Sequence, residues 1–197
     1  MKTTIARSAA ALSAALLLAA PAWATGPTTA GDTTAAASTA DTGGRQGIDK
    51  DVLSAAAFAE KAGQSNLFEI QSSRLALDRS QDERVRDFAQ LMIDDHTKAG
   101  DKLKAALADT DVDASLPQQL DEAHADRLDR LKAAQQGQFD QLYVKMQTEG
   151  HVESVKLFED YAYYGENATL KAFADDTLPT LKGHLQRVRL LPQQSQS

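Results

Sequence analysis

The sequence predicts an all-α protein, a four-helix bundle of ferritin-like topology with a short helical crossover between its second and third long helices. Three observations predict it. From about residue 51 to residue 191, apolar side chains recur at spacings of three and four, and no segment shows strand alternation. The chain is rich in Ala, Gln, Asp and Leu, with five prolines and eleven glycines in 197 residues, a balance that favours helix over sheet. The stretch between the second and third long helices is also too long for a tight hairpin. Its own helix of about 16 residues would reach roughly 24 Å at 1.5 Å per residue, enough to carry the chain back and start a parallel helix.

Residues 1–24 read as a secretory signal peptide. Lys2 and Arg7 give a positive start, Ala9 to Ala20 is an apolar run, and Ala22-Trp23-Ala24 after Pro21 has the small-x-small pattern of a cleavage site after Ala24. About 12 apolar residues are too few for a membrane span, which needs roughly 20. Removal of Lys2 and Arg7 with this segment takes the formal charge from −7 to −9 and discards Trp23, the sole tryptophan. No later segment could anchor the chain in a bilayer. The expected product is soluble and exported, in the first instance to a periplasm. Residues 25–48 are mostly Thr, Ala, Gly, Ser and Asp, without an apolar period; they cannot bury enough surface to offset chain entropy and read as a disordered linker. The helical domain is expected over residues 49–191, followed by a flexible tail at 192–197.

Within the domain, a first helix is expected from near Asp51 to near Arg79, with Asp49 as its N-cap. Ser80 to Glu83 has the spacing of a capping box opening the second helix, whose inward stripe is Val85, Phe88, Ala89, Met92, His96, Ala99 and Leu103. Asp109 to Pro117 reads as a loop, and a short polar helix follows from about Gln119 to Ala134, punctuated by Gly137. The third long helix is expected from about Gln138 to Tyr164, with Phe139, Tyr143, Met146, Gly150, Ser154, Leu157 and Tyr161 inward. Gly165 would stop it and Asn167 would cap the fourth. That helix places Leu170, Phe173, Ala174, Leu178, Leu181, His184, Leu185 and Val188 inward. Pro179 inside it predicts a kink, with two shorter helices meeting at Leu178 as the alternative. Tyr163 and Tyr164, with Phe158 and Tyr161, are expected to pack at a helix end.

Composition excludes several functions. With no cysteine, a disulfide scaffold, a thiolate zinc site and a Cys nucleophile are ruled out. The acidic charge argues against nucleic acid, which needs clustered Lys and Arg. No phosphate loop, dinucleotide fingerprint, nucleophile elbow or His-Glu-x-x-His is present.

Several segments resemble a bacterial exported family, the domain-of-unknown-function family numbered 4142. They are Phe58-Ala59-Glu60-Lys61-Ala62, Asn66-Leu67-Phe68-Glu69-Ile70, the run from Phe88 to Ala99 containing Asp95-His96-Thr97-Lys98, and Phe139-Asp140 with Tyr143 and His151. Leu170-Lys171-Ala172-Phe173-Ala174 and Leu178-Pro179-Thr180-Leu181 with His184-Leu185 complete the match. The resemblance covers Ala57 to Leu191. It implies a ferritin-like fold and export more than a mechanism.

His96, His151 and His184 fall near the middles of three long helices, two of them on apolar stripes and His151 at the edge of one. Glu69 occupies the same zone of the first helix. Glu and His from facing helices are how di-iron bundles hold metal. The residues three before the histidines are Ile93, Thr148 and Leu181, so both Glu-x-x-His motifs of such bundles are missing. Glu69, His96, His151 and His184, with Asp95 in reach, would make a centre closer to mononuclear, for iron, zinc, copper or manganese. The other reading is a set of structural histidines, bonded to Glu69, Tyr143 or the carbonyl freed by Pro179. His124, among Glu122, Asp126 and Asp129, reads as part of a solvated face.

The sequence favours a non-enzymatic exported bundle serving envelope maintenance or stress tolerance, through contacts with a protein or envelope partner. The alternative is a ferritin-like metal-binding or redox protein. A third reading, an adhesin tethered by the spacer, rests on the linker alone.

Overall fold

The computed structural model describes residues 54–191; the segments expected to be signal peptide, linker and tail and the cap expected at Asp49 lie outside them. The described chain is all-helical: α1 (Ala55–Arg79), α2 (Glu83–Ala108), α3 (Glu122–Ala133), α4 (Gln136–Tyr164) and α5 (Ala168–Arg189). Among the described residues, no helix is long and apolar enough to cross a membrane.

The helix ends follow local chemistry, and several differ from expectation. Ser54 caps α1, its hydroxyl accepting from the Ala57 N–H. Ser80 and Glu83 form no capping box: Asp82 caps α2 by accepting from the Arg84 N–H at 2.9 Å, while the Ser80 hydroxyl accepts from the Asp82 N–H. The nearer carboxylate is the better acceptor at a positive helix end. The short helix starts at Glu122, three residues later than expected, because Asp121 caps it through the His124 N–H. Gly137 does not break the chain; it lies in the first turn of α4, and the break falls at Ala134 and Gln135. Gly165 ends α4 and Asn167 caps α5 as expected, the latter accepting from the Leu170 N–H. Helix α5 runs unbroken through Pro179, so two shorter helices do not occur. Pro179 and Asp175 lie on its exposed side, where solvent can serve the carbonyl that loses its donor.

Two apolar clusters fix the helix directions. One gathers Phe68 and Ala76 from α1, Val85, Phe88 and Met92 from α2, Phe139, Tyr143 and Met146 from α4, and Val188 from α5. The other gathers Phe58 and Ala62, Leu103 and Leu107, Phe158 and Tyr161, and Leu170, Phe173 and Leu181. Each cluster thus combines the late part of one helix with the early part of its neighbour. Helices α1 and α5 run one way and α2 and α4 the other. Helix α1 packs on α2 and α4, α5 packs on the same two, and α3 lies against α1 and α4. The segment holding α3 therefore joins two parallel helices, as its length implied.

Polar clamps hold that segment in place. The Arg79 guanidinium donates to the carbonyls of Leu131, Lys132 and Ala134, at 3.2, 2.8 and 2.6 Å, and sits 4.5 Å over the Phe139 ring. It thereby adds a donor to carbonyls at the end of α3, of which Leu131 also accepts from the Ala134 N–H. Gln64 donates to the Gln119 carbonyl and accepts from the Asp121 N–H. Phe158 and Tyr161 are buried, but Tyr163 and Tyr164 lie outside and touch only edge to face, so the expected four-ring cluster reduces to two. Leu157 is half-buried and Phe158 takes the inward position instead.

Candidate metal centre

Between the two apolar clusters the interior turns polar. Glu69, Ser72 and Ser73 from α1, His96 from α2, Gln147, His151 and Ser154 from α4, and His184 from α5 are all buried. A layer like this costs stability unless its polar groups find partners. Some do: Ser73 pairs with the Tyr143 hydroxyl at 2.9 Å, Gln147 Nε2 donates to Ser72 Oγ, and Ser65 pairs with Ser154 across the α1–α4 seam.

The three histidines come together. Their ring centroids are 5.7, 5.6 and 5.4 Å apart, a nearly equilateral triangle, and one ligating nitrogen from each lies within 4.8 Å of the other two. Two imidazole nitrogens on one tetrahedral ion stand about 3.4 Å apart, so small side-chain shifts would close the set around one ion.

Each ring is held from outside by its other nitrogen. His96 Nδ1 pairs with Asn66 Oδ1 at 3.1 Å, and Gly100 leaves room for Asn66, since a Cβ there would meet the amide at 2.9 Å. His151 Nδ1 donates to the Gln147 carbonyl at 2.8 Å, and His184 Nε2 donates to Asp95 Oδ2 at 3.1 Å. A carbonyl and a carboxylate can only accept, so the proton positions on His151 and His184 are set. The remaining nitrogens, Nε2 of His96, Nε2 of His151 and Nδ1 of His184, are buried without a hydrogen-bond partner. Outer acceptors that fix the tautomer and aim a lone pair inward are the usual support of metal-bound histidine. The partners expected for structural histidines differ: Tyr143 bonds Ser73, and the Pro179 region contributes none of these bonds.

Electrostatics keep the rings neutral. Burial holds His96 well below its ordinary value and lowers His151 to about 4. Burial also lowers His184, although Asp95 opposes it. Burial pushes Asp95 up, but hydrogen bonds from His184 and Lys98 outweigh it and hold the carboxyl below its usual range.

Glu69 stands beside this trio rather than within it. Its Oε1 is 3.8 Å from His151 Nδ1, the nitrogen that faces the Gln147 carbonyl, and neither carboxyl oxygen has a hydrogen-bond partner. Burial raises its pKa to about 8, with Gln147 and the Arg127 charge pulling the other way. Asp95 serves as the acceptor for His184. His124 is half-buried instead of fully solvated, bonded to Asp121 Oδ1 at 2.8 Å and tilted 5.7 Å from the Phe68 ring. Sequence reasoning missed Asn66 and the Gln147 carbonyl. Asn66 lies in the same helical zone as Glu69, one turn earlier, which is the signal that could have found it.

No curated protein and no solved structure matches the chain. The family model Domain of unknown function (DUF4142) matches residues 30–191. That match spans most of the sequence and all of the described helices, and the chain belongs to this family.

Proposed function

We propose that the protein is an exported, ferritin-like four-helix bundle that binds one transition-metal ion through His96, His151 and His184. The observation that carries this reading is that one nitrogen of each buried ring is engaged by an outer partner, His151 and His184 as donors and His96 with Asn66 Oδ1, while the other nitrogen of each has no hydrogen-bond partner. Each such orphan costs about 1–3 kcal/mol if nothing meets it, and a cation would satisfy all three at once.

A set of nitrogen donors suits zinc, copper or iron better than manganese, which favours oxygen. Glu69 supplies a nearby carboxyl group, neutral until the pH rises through about 8, and Asn66, Asp95 and the Gln147 carbonyl orient the rings. The fold reading is supported by two antiparallel helix pairs, α1–α2 and α4–α5, joined through α3. Export rests on the signal pattern of residues 1–24. In the envelope, such a protein would serve maintenance or stress tolerance by holding metal.

Elemental analysis of protein purified from the periplasm tests the metal reading. About one ion per chain is expected, lost in a His96→Ala plus His184→Ala variant, with metal raising the melting temperature of the wild type alone. Metal-free protein whose melting ignores added zinc, copper and iron would dismiss it. Export has a separate check: the exported protein should show tyrosine emission without tryptophan, since Trp23 leaves with the signal segment.

A further inference from the structure

The histidine trio is sealed, with none of the three rings more than 5% exposed, so an ion needs a way in. A cleft of about 610 Å³ opens between α1, α3 and α4, and Glu69 belongs to its lining. The same carboxyl group lies 3.8 Å from His151. One buried, unpartnered side chain therefore faces both the cleft and the histidine layer.

Gly150 thins the wall at that point. It precedes His151 on α4 and lines the cleft, and a Cβ there would stand 2.9 Å from Glu69 Oε1. Glycine inside a helix costs about 1 kcal/mol relative to alanine, and here it gives the Glu69 carboxyl its space.

The cleft is acidic on balance. Glu60, Asp121, Glu153 and Asp160 line it against Lys61, Arg127 and Lys156, while the buried Glu69, with its pKa raised to about 8, is uncharged at neutral pH. Arg127 pairs with Glu153 and Lys156 with Asp160, which leaves Glu60 and Asp121 against Lys61. A net negative balance between low-dielectric walls favours cations over anions.

We propose that this cleft is the access route for a divalent transition-metal cation, which passes from the acidic rim by way of the Glu69 carboxyl group to the three histidines. The proposal rests on the metal reading given above. It assigns to α3, which contributes no histidine to the trio, the role of forming one wall of the route.

The chain has no cysteine, which makes a covalent plug available. In Glu153→Cys, the rim thiol is capped either with small iodoacetamide or with a bulky fluorescein maleimide. Asp176→Cys, on the exposed side of α5, is the control with the same two caps. Loading of metal-free protein with cobalt(II) is followed by stopped-flow absorbance. The bulky cap is expected to slow loading at position 153 and not at 176, with the final cobalt stoichiometry unchanged. A Glu60→Lys plus Glu153→Lys variant is expected to load about tenfold more slowly at low ionic strength and to approach wild type in high salt. Equal loading rates with both caps and in the charge variant would overturn the route while leaving the metal site intact. Absence of any cobalt band in the wild type at equilibrium would overturn both.

Discussion

Asp95 Oδ2 accepts from His184 Nε2 at 3.1 Å, tying α2 to α5 one residue before His96 joins the trio. Adjacent helical residues point about 100° apart, so neighbours in sequence serve two different rings. Lys98 holds the same carboxylate from the solvent side through Oδ1, at 3.2 Å. Asp95→Ala is expected to weaken metal binding about 10–100-fold while leaving the helical spectrum unchanged. Titration with zinc beside a Lys98→Ala variant checks this, because loss of the exposed lysine should cost much less. Equal effects from the two substitutions would refute the orienting role of Asp95.

The metal-free protein is expected to be most stable near pH 6.5. The three histidines ionise less readily in the fold than in the unfolded chain, where 6.5 is the ordinary value and His151 falls to about 4. Their contribution is full above about pH 6.5 and declines as pH falls below it, for His151 until about 4, because the unfolded chain takes up protons that the fold refuses. Glu69 has the opposite sign. Its folded value of about 8 exceeds the ordinary 4.5, so its contribution is full below 4.5 and is lost as pH rises through about 8. Just below pH 6.5 the three histidines oppose Glu69, and stability rises with pH there. Denaturant melts at about pH 5, 6.5 and 9 check the shape, and Glu69→Gln should flatten the alkaline decline alone.

Gly63→Ala tests the packing of the α2–α3 connection. A Cβ at Gly63 would stand 2.5 Å from Pro117 Cδ and 2.9 Å from Cγ, so the loop must shift. Helix propensity alone would favour alanine by about 1 kcal/mol, whereas overpacking costs about 1–3 kcal/mol. A lower melting temperature is expected. A stabilised variant would mean that Pro117 does not rest on α1.

Arg79→Ala is expected to destabilise the fold by about 2–3 kcal/mol, since it removes a charged donor from three carbonyls at the end of α3. Arg79→Lys should restore only part of this, because a lysine ammonium cannot copy the planar fork. Urea denaturation of the pair measures both effects.

The helices and their inward stripes were legible because burial imposes a 3.6-residue period on Val85, Phe88, Met92 and their counterparts. The three histidines were legible for the same reason, as polar residues on or beside apolar faces at similar heights. Their outer partners were not. Asn66 meets His96 across two helices through helix rotation and side-chain torsions, and the Gln147 carbonyl, although one turn before His151 on the same helix, is backbone whose partner no residue type reveals. The side of His151 that Glu69 occupies depends on Gly150, whose missing side chain reads in sequence only as a weak helix former. Boundaries failed where two capping side chains competed, as Ser80 and Asp82 did. Arg79 looked like an ordinary charged helix end, because the carbonyls it serves lie more than 50 residues away.

The most direct measurement is an anomalous difference map from crystals of the zinc-loaded protein, with data collected on both sides of the zinc edge. A single peak is expected about 2.0–2.1 Å from Nε2 of His96, Nε2 of His151 and Nδ1 of His184. A peak elsewhere on the surface, with the three rings bonded to water, would contradict the metal centre.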